Sequence, residues 1–201
     1  QNMKYTIGID EVGRGPIAGP VAVGAFVILD DDIMPEFKGV KESKQLSFKK
    51  REFWFDKILE FKKLNKINFS VNFQTESVID SMGISHAIRV ALNQSIKDLN
   101  IDPENAIVLL DGGLKAPLEF KNQKTIIKGD EKEIVIALAS ICSKVLRDRK
   151  MIDFDEKYPG YNLLKHMGYG TKAHYDAIEK HGLLPIHRKS FLTKFLQKKP
   201  K

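Results

Sequence analysis

A chain of 201 residues, 42% hydrophobic and 29% charged, is near the upper end of one ordinary domain and has the apolar content for one α/β core. No run of about 18 apolar residues occurs, which excludes a membrane-spanning helix, and a single cysteine, Cys142, excludes an intramolecular disulfide. The net charge of +7 and pI near 9.3 suggest a polyanionic partner, because phosphate neutralisation supplies most nucleic-acid affinity.

From the N-terminus, Tyr5 to Asp10 reads as a strand, with no apolar signal-peptide core before it. Val21 to Leu29 is apolar on both faces, the pattern of a central, covered strand. Ser47 is placed to cap a helix running to about Leu64, with Phe55, Ile58 and Leu59 in its buried stripe. In Ile67 to Phe73, apolar residues alternate with Asn68, Ser70 and Asn72, the period of a strand with one wet face. A helix follows from about Ser85 to Leu99. Two strands come next, Ala106 to Leu110, ending in Asp111-Gly112-Gly113, and Thr125 to Ile127, ending in Gly129-Asp130. Ile134, Ala137, Leu138, Ile141 and Val145 at helical spacing predict a helix over about Glu131 to Met151. Thr171 caps a last clear helix that Gly182 ends. This order predicts an α/β fold, a mixed central sheet flanked by helices. No repeat or composition break divides the chain, so one domain over residues 1–201 is expected, its helical C-terminal part (about 152–201) packed against the rest.

Each of three strands leads into acids: Asp10-Glu11, Asp111 and Asp130. Ligands of sheets with helix crossovers gather beyond the carboxyl ends of the strands. One acid at a strand end is usually a plain cap or turn residue. Four at one edge would repel each other unless a cation intervened. Oxygen-only ligation favours Mg²⁺ or Mn²⁺ over Zn²⁺, and two such ions are a standard clamp for displacement at phosphorus. Consecutive residues of a strand point to opposite faces. For Asp10 and Glu11 to share a site, the strand is expected to end or bulge there, with Gly13 and Gly15 giving the freedom. His166, His174, His181 and His187 lack zinc-site spacing and are read as structural. The basic tail reads as a solvated end.

The segment Asp10-Glu11-Val12-Gly13-Arg14-Gly15-Pro16, continuing to Gly19-Pro20, resembles the opening motif of the type HII ribonucleases H. In the same order, Ser43-Lys44-Gln45-Leu46-Ser47, Leu110-Asp111-Gly112 and Lys128-Gly129-Asp130 are similar to later motifs of that family. So are Ala139-Ser140-Ile141-Cys142-Ser143-Lys144, Gly168-Tyr169-Gly170-Thr171 and His187-Arg188-Lys189-Ser190-Phe191. The resemblance spans roughly residues 4 to 192 and implies an RNase H-like fold. It implies that Asp10, Glu11, Asp111 and Asp130 are catalytic and hold two divalent ions. It also implies cleavage of RNA–DNA hybrids and, on the 5′ side, of ribonucleotides embedded in duplex DNA, leaving 5′-phosphate and 3′-hydroxyl ends. Gly13, Arg14, Gly15 and Tyr169 would then recognise the ribonucleotide and its junction, where backbone near a sugar can bond the 2′-hydroxyl and an aromatic ring can stack. Lys44 and Lys144 are candidates to face phosphate. Met167 stands where that family commonly has Lys, and Ser143 where Ala is usual. A type HIII ribonuclease, expected to lack Gly-Arg-Gly here, and a basic module that binds hybrids without cutting are the competing readings. A cytoplasmic monomer is expected.

Overall fold

The computed structural model describes residues 3–40 and 46–198. Within them β1 (Tyr5–Val12), β2 (Val21–Ile28), β3 (Ile67–Gln74), β4 (Ala106–Asp111) and β5 (Gln123–Ile126) form a five-stranded sheet in the order β3-β2-β1-β4-β5. The pairs β1–β2 and β2–β3 are antiparallel, while β1–β4 and β4–β5 are parallel, so the sheet is mixed as expected. The flanking helices are α1 (Phe48–Lys63), α2 (Glu76–Met82), α3 (Ile84–Asp98), α4 (Gly129–Lys132), α5 (Ile134–Lys157), α6 (Leu163–His166), α7 (Lys172–His181) and α8 (Thr193–Gln197).

Local chemistry sets several of these boundaries. Ser47 Oγ accepts from Lys50 N and starts α1, and Thr171 Oγ accepts from His174 N and starts α7. Gly182, at φ +88°, ends α7 in backbone that side chains disfavour. All eight residues of β2 are buried, as its two-sided apolar pattern requires. β3 is an edge strand, yet its polar face is not simply wet. Ser70 Oγ and Asn72 Nδ2 donate to Asp98 Oδ2 of α3, at 2.8 and 2.9 Å, and the Asn72 amide donates to Ser95 Oγ at 3.1 Å.

Other expectations need correction. β1 runs on to Val12 in unbroken register with β2, so Asp10 and Glu11 come neither from a bulge nor from the strand's last residue. The helix expected from Glu131 is interrupted: Glu133 is extended (φ −119°, ψ 123°), separating α4 from α5, and α5 continues to Lys157. The short helices α2, α6 and α8, of 7, 4 and 5 residues, carry too little periodicity to be read from pattern.

One apolar layer packs Ile7, Ile9, Val23 and Val27 of the sheet on Ile88 and Leu92 of α3. The opposite layer joins Phe26, Phe69 and Leu109 to Phe55 and Ile58 of α1 and to the buried face of α5. A third cluster ties Ile17 and Ala18 to Met151, Tyr161, Leu163 and Ile178, so the C-terminal helices pack on the loop after β1. Two glycines let α5 press on the sheet. A Cβ on Gly8 would fall on the Val135 backbone, and one on Gly24 on Ser143 Oγ and the Ala139 carbonyl. Gly24 is the strand partner of Asp10, so this close approach sets α5 beside that carboxylate.

Gly24→Ala is therefore expected to lower stability by about 1–3 kcal/mol through overpacking. Gly113→Ala, with nothing within 4 Å of the added carbon, should stay within about 0.5 kcal/mol. Denaturant midpoints of the two variants check this, and equal midpoints would contradict the packing account.

Candidate active site

β1 and β4 lie side by side only as far as the Ile9–Leu110 pair. Beyond it β1 keeps its pairing with β2 out to Val12–Ala22, while the chain after β4 turns off through Gly112 at φ +58°. The sheet therefore splits between two parallel strands at their carboxyl ends, the place where such sheets bind ligands. A cleft of about 390 Å³ opens there, lined by Asp10, Glu11, Asp111, Asp130, Lys144 and Tyr169, with Arg51 and Ser140 also on its wall. A larger hollow, about 580 Å³, lies between α3 and the loop after Gly113; it shares Arg14 with the turn after β1 but contains none of the four acids.

The acids reach the cleft by different routes. Asp10 shares a strand face with Gly8 and points to α5, where it is buried. Glu11 belongs to the other face and borders the cleft because β1 has no partner on the β4 side past Ile9. Its amide donates to Asp10 Oδ1 at 2.8 Å, and its Oε1 accepts from Arg14 Nε at 3.2 Å. Asp111, the last residue of β4, accepts from the Gly129 amide at 2.6 Å. That bond pins the start of α4 against the end of β4. Asp130 is thus delivered by a one-turn helix after a left-handed Lys128 (φ 54°), not by the end of β5.

Burial first, then the charges of Glu11 and Asp111, push the Asp10 carboxyl well above its ordinary value near 3.8; the Ser140 hydroxyl pulls it down and Asp130 adds to the rise. Ser140 stands within the quoted α5 motif, but its partnership with Asp10 depends on where α5 crosses the sheet. Among the described residues, no group of three His, Cys, Asp or Glu side chains is gathered tightly enough to hold a metal ion as they stand. Glu11 instead pairs with Arg14, and Asp111 with the Gly129 amide. The donor chemistry is nonetheless that of a hard divalent cation: four carboxylates in one cleft with neither His nor Cys on its wall.

Lys144 stands on the rim with Nζ 2.8 Å from Asp148 Oδ1, and Arg51 Nη2 is 3.8 Å from Asp148 Oδ2. Lys44 lies outside the described residues. Gly13 occupies left-handed backbone (φ +86°), and a side chain there would strike Arg147. A Cβ on Gly15 would be 3.7 Å from Tyr169 Cε1, so the structure sets the tyrosine ring against the Gly-Arg-Gly turn. Tyr169 is 43% exposed.

Two residues to which the sequence reading gave no role, Arg188 and Arg147, hold this turn from behind. Arg188 donates to the carbonyls of Gly13, Arg14 and Gly19 at 2.6, 3.1 and 2.9 Å. Arg147 donates to those of Ala18, Pro20 and Met167 at 3.1, 2.9 and 2.8 Å. Both guanidinium groups are fully buried, and burial together with the neighbouring Arg147 pushes Arg188 down to about 10. Met167, which stands where the resemblance would have a lysine, contributes its carbonyl to this network. Ser143 Oγ donates to the Ala139 carbonyl inside α5 at 2.6 Å.

The family model for ribonuclease HII matches residues 7–194. The chain belongs to the ribonuclease HII family. Ribonucleases HII of this kind are metal-dependent endonucleases. Ribonuclease HII of Bacillus cereus is 44% identical over 191 residues, 95% of this chain and 70% of that protein. Ribonuclease HII of Caldicellulosiruptor bescii is 43% identical over 196 residues, 98% of this chain and 90% of that protein. Ribonuclease H2 of Pyrococcus horikoshii superposes with a TM-score of 0.72 at 27% identity, over 96% of this chain and 98% of the other. Ribonuclease HII of Archaeoglobus fulgidus, solved with PCNA, shares the fold at a TM-score of 0.76 and 22% identity, over 98% of each chain. The RNase H-like fold and the family both agree with the sequence reading.

The raised Asp10 pKa has a consequence for stability. The folded chain holds a proton that the unfolded chain releases between the ordinary value and the raised one, so stability increases as pH falls through the raised pKa. At neutral pH, above the ordinary carboxyl value, the environment of Asp10 opposes folding. In chelator at neutral pH, Asp10→Asn should therefore be more stable by about 0.5–2 kcal/mol, a gap that narrows on acidification. Added Mg²⁺ should raise the melting temperature of the natural chain more than that of the variant. A variant less stable than the natural chain in chelator would contradict the assignment.

Proposed function

We propose that this ribonuclease HII cuts nucleic acid at ribonucleotides, both in RNA–DNA hybrids and where single ribonucleotides are embedded in duplex DNA. Asp10, Glu11, Asp111 and Asp130 would hold two Mg²⁺ or Mn²⁺ ions, with Asp10 shared between them. Their convergence in one cleft is the observation that carries the reading. Bound there, the ions supply an activated water and neutralise charge developing on the departing oxygen. A water oxygen attacks phosphorus on the 5′ side of the ribonucleotide, the bond to the upstream 3′-oxygen breaks, and that oxygen takes up a proton. The products carry 5′-phosphate and 3′-hydroxyl ends.

The chain's own residues select the substrate. Gly13 and Gly15 carry no side chain, so the turn's backbone can approach a sugar closely enough to bond the 2′-hydroxyl, the group that separates RNA from DNA. Tyr169, half exposed and against Gly15, offers its ring to the adjoining nucleotide. Arg14 is partly exposed, and its planar fork can leave Glu11 for a phosphate once Glu11 turns to a cation. Lys144 and Arg51 line the same cleft and add positive charge on the side where a phosphate backbone would lie. We propose that the chain acts as a single catalytic domain and as a monomer in the cytoplasm.

The test is a cleavage assay with Mg²⁺ and Mn²⁺ on an all-DNA duplex, a duplex with one ribonucleotide, and an RNA–DNA hybrid, mapped to the nucleotide. Cuts 5′ of the ribonucleotide are expected, none in the all-DNA duplex, and a rate about 100-fold lower or worse for Asp10→Asn. Near-normal turnover by that variant, or retention of intact substrate with Mg²⁺ present, would refute the reading.

A further inference from the structure

Three histidines cluster beneath the Tyr169 loop, outside the cleft that holds the acids. His166 of α6 lies on His174 of α7 with ring centroids 4.2 Å apart. His174 Nε2 meets His187 Nε2 at 2.8 Å, and both rings are buried. The backbone determines where every proton in this pair sits. His174 Nδ1 is 2.9 Å from the Tyr169 carbonyl, which can only accept, so Nδ1 carries the hydrogen and Nε2 is a bare acceptor. His187 Nδ1 receives the Leu184 amide at 2.8 Å, so His187 carries its hydrogen on Nε2 and donates it to His174. Both deductions agree at the shared contact. The result is one directional chain: Leu184 amide to His187, His187 to His174, His174 to the carbonyl of Tyr169.

His166 is fixed in the same way. Its Nε2 donates to the Tyr161 carbonyl at 2.8 Å and its Nδ1 accepts from the Gly168 amide at 3.2 Å. The next residue after His187 is Arg188, whose guanidinium holds the carbonyls of Gly13 and Arg14. Adjacent residues of one segment therefore grip the two pieces that meet where Tyr169 touches Gly15. That segment is itself tied down by the Arg188 amide donating to the Ile17 carbonyl at 2.7 Å.

We propose that His187 and His174 are positioning residues, a relay of fixed hydrogen-bond polarity that sets Tyr169 against the Gly13–Gly15 turn and so determines how well the enzyme engages a ribonucleotide. The proposal rests on the substrate role given above to Tyr169. Neither histidine touches substrate. A proton added to His174 would set two N–H groups against each other at the Nε2 contact, and one added to His187 would set its Nδ1–H against the Leu184 amide. Burial, with the neighbouring histidines, accordingly holds both rings neutral, near pKa about 4. The titratable rings around the pair are His166 on His174 and Tyr161 on His187, at 4.2 and 5.8 Å between centroids, and neither supplies an anion to favour protonation.

Two measurements decide it. In the full chain labelled with ¹⁵N-histidine, long-range ring correlations between about pH 5 and 8 should show His174 only as the Nδ1–H tautomer and His187 only as Nε2–H, with no titration. His174 in the Nε2–H form, or either ring becoming charged in that range, overturns the relay. In the second, kcat/KM on DNA with one ribonucleotide is compared for His187→Leu and His187→Gln. The extended Gln amide places an N–H where Nε2–H stood; Leu does not. Leu should reduce kcat/KM by about 10- to 100-fold, and Gln should restore most of it. With Tyr169→Ala added, the two should become equal. Equal rates beside an intact Tyr169, or a Leu–Gln gap undiminished without it, overturn the proposal. Should His187→Leu fail to fold, the tautomer measurement decides. An inert Tyr169→Ala would instead remove the substrate role of Tyr169, while the ring correlations still report on the relay.

Discussion

The structure is organised around one unfavourable arrangement: a buried carboxylate, Asp10, beside Glu11 on its own strand and facing Asp111 and Asp130 across a split in the sheet. Burial and like charge both disfavour its ionised form. The fold nevertheless holds it there by several independent means. Gly8 and Gly24 admit α5 close to the strand, and α5 brings Ser140 to the carboxyl. The end of β1 remains paired to β2, which fixes its backbone while its other edge is open. The Gly129 amide anchors Asp111 and with it the short helix that carries Asp130. An arrangement of this kind lowers stability unless a cation compensates, which is the usual signature of a site kept for function.

The positive side of the site is divided. Lys144 and Arg51 stand on the cleft wall near Asp148. Arg147 and Arg188 are buried beneath the Gly-Arg-Gly turn and donate to main-chain carbonyls. Holding those carbonyls inward stiffens a turn whose glycines would otherwise make it pliable. The acids are thus held by the sheet and α5, whereas the turn and Tyr169, to which recognition is assigned in the proposal, are held by α6, α7 and the segment through Arg188, with Arg147 of α5 beneath them.

Much of this is legible in the chain. The two-sided apolar run of β2, the cap at Ser47 and the stop at Gly182 follow from local rules that the tertiary fold does not override. Asp10, Glu11 and Asp111 stand out because carboxylates follow apolar strands. Asp130 does as well, although its carrier is a helical turn, since the left-handed Lys128 that starts this turn has no pattern of its own. The break at Glu133 is equally silent, because the apolar periodicity starts only beyond it, at Ile134. What cannot be read is what depends on crossing geometry. Ser140 and Arg51 join the site only because α5 and α1 cross the sheet where they do. Arg147 and Arg188 are of a type usually found at the surface and become structural through backbone partners far away in sequence, and nothing in the spacing of His174 and His187 announces that their rings meet.

In the proposed function the four acids close on two divalent ions beside the scissile phosphate. The most direct measurement is anomalous scattering from crystals of the enzyme grown with Mn²⁺ and a duplex carrying one ribonucleotide. Two manganese peaks about 3.5–4 Å apart, within ligating distance of Asp10, Glu11, Asp111 and Asp130 and beside the phosphate 5′ of the ribonucleotide, are the predicted result. Manganese found away from Asp10, or a phosphate seated elsewhere with the four carboxylates still apart, would contradict it.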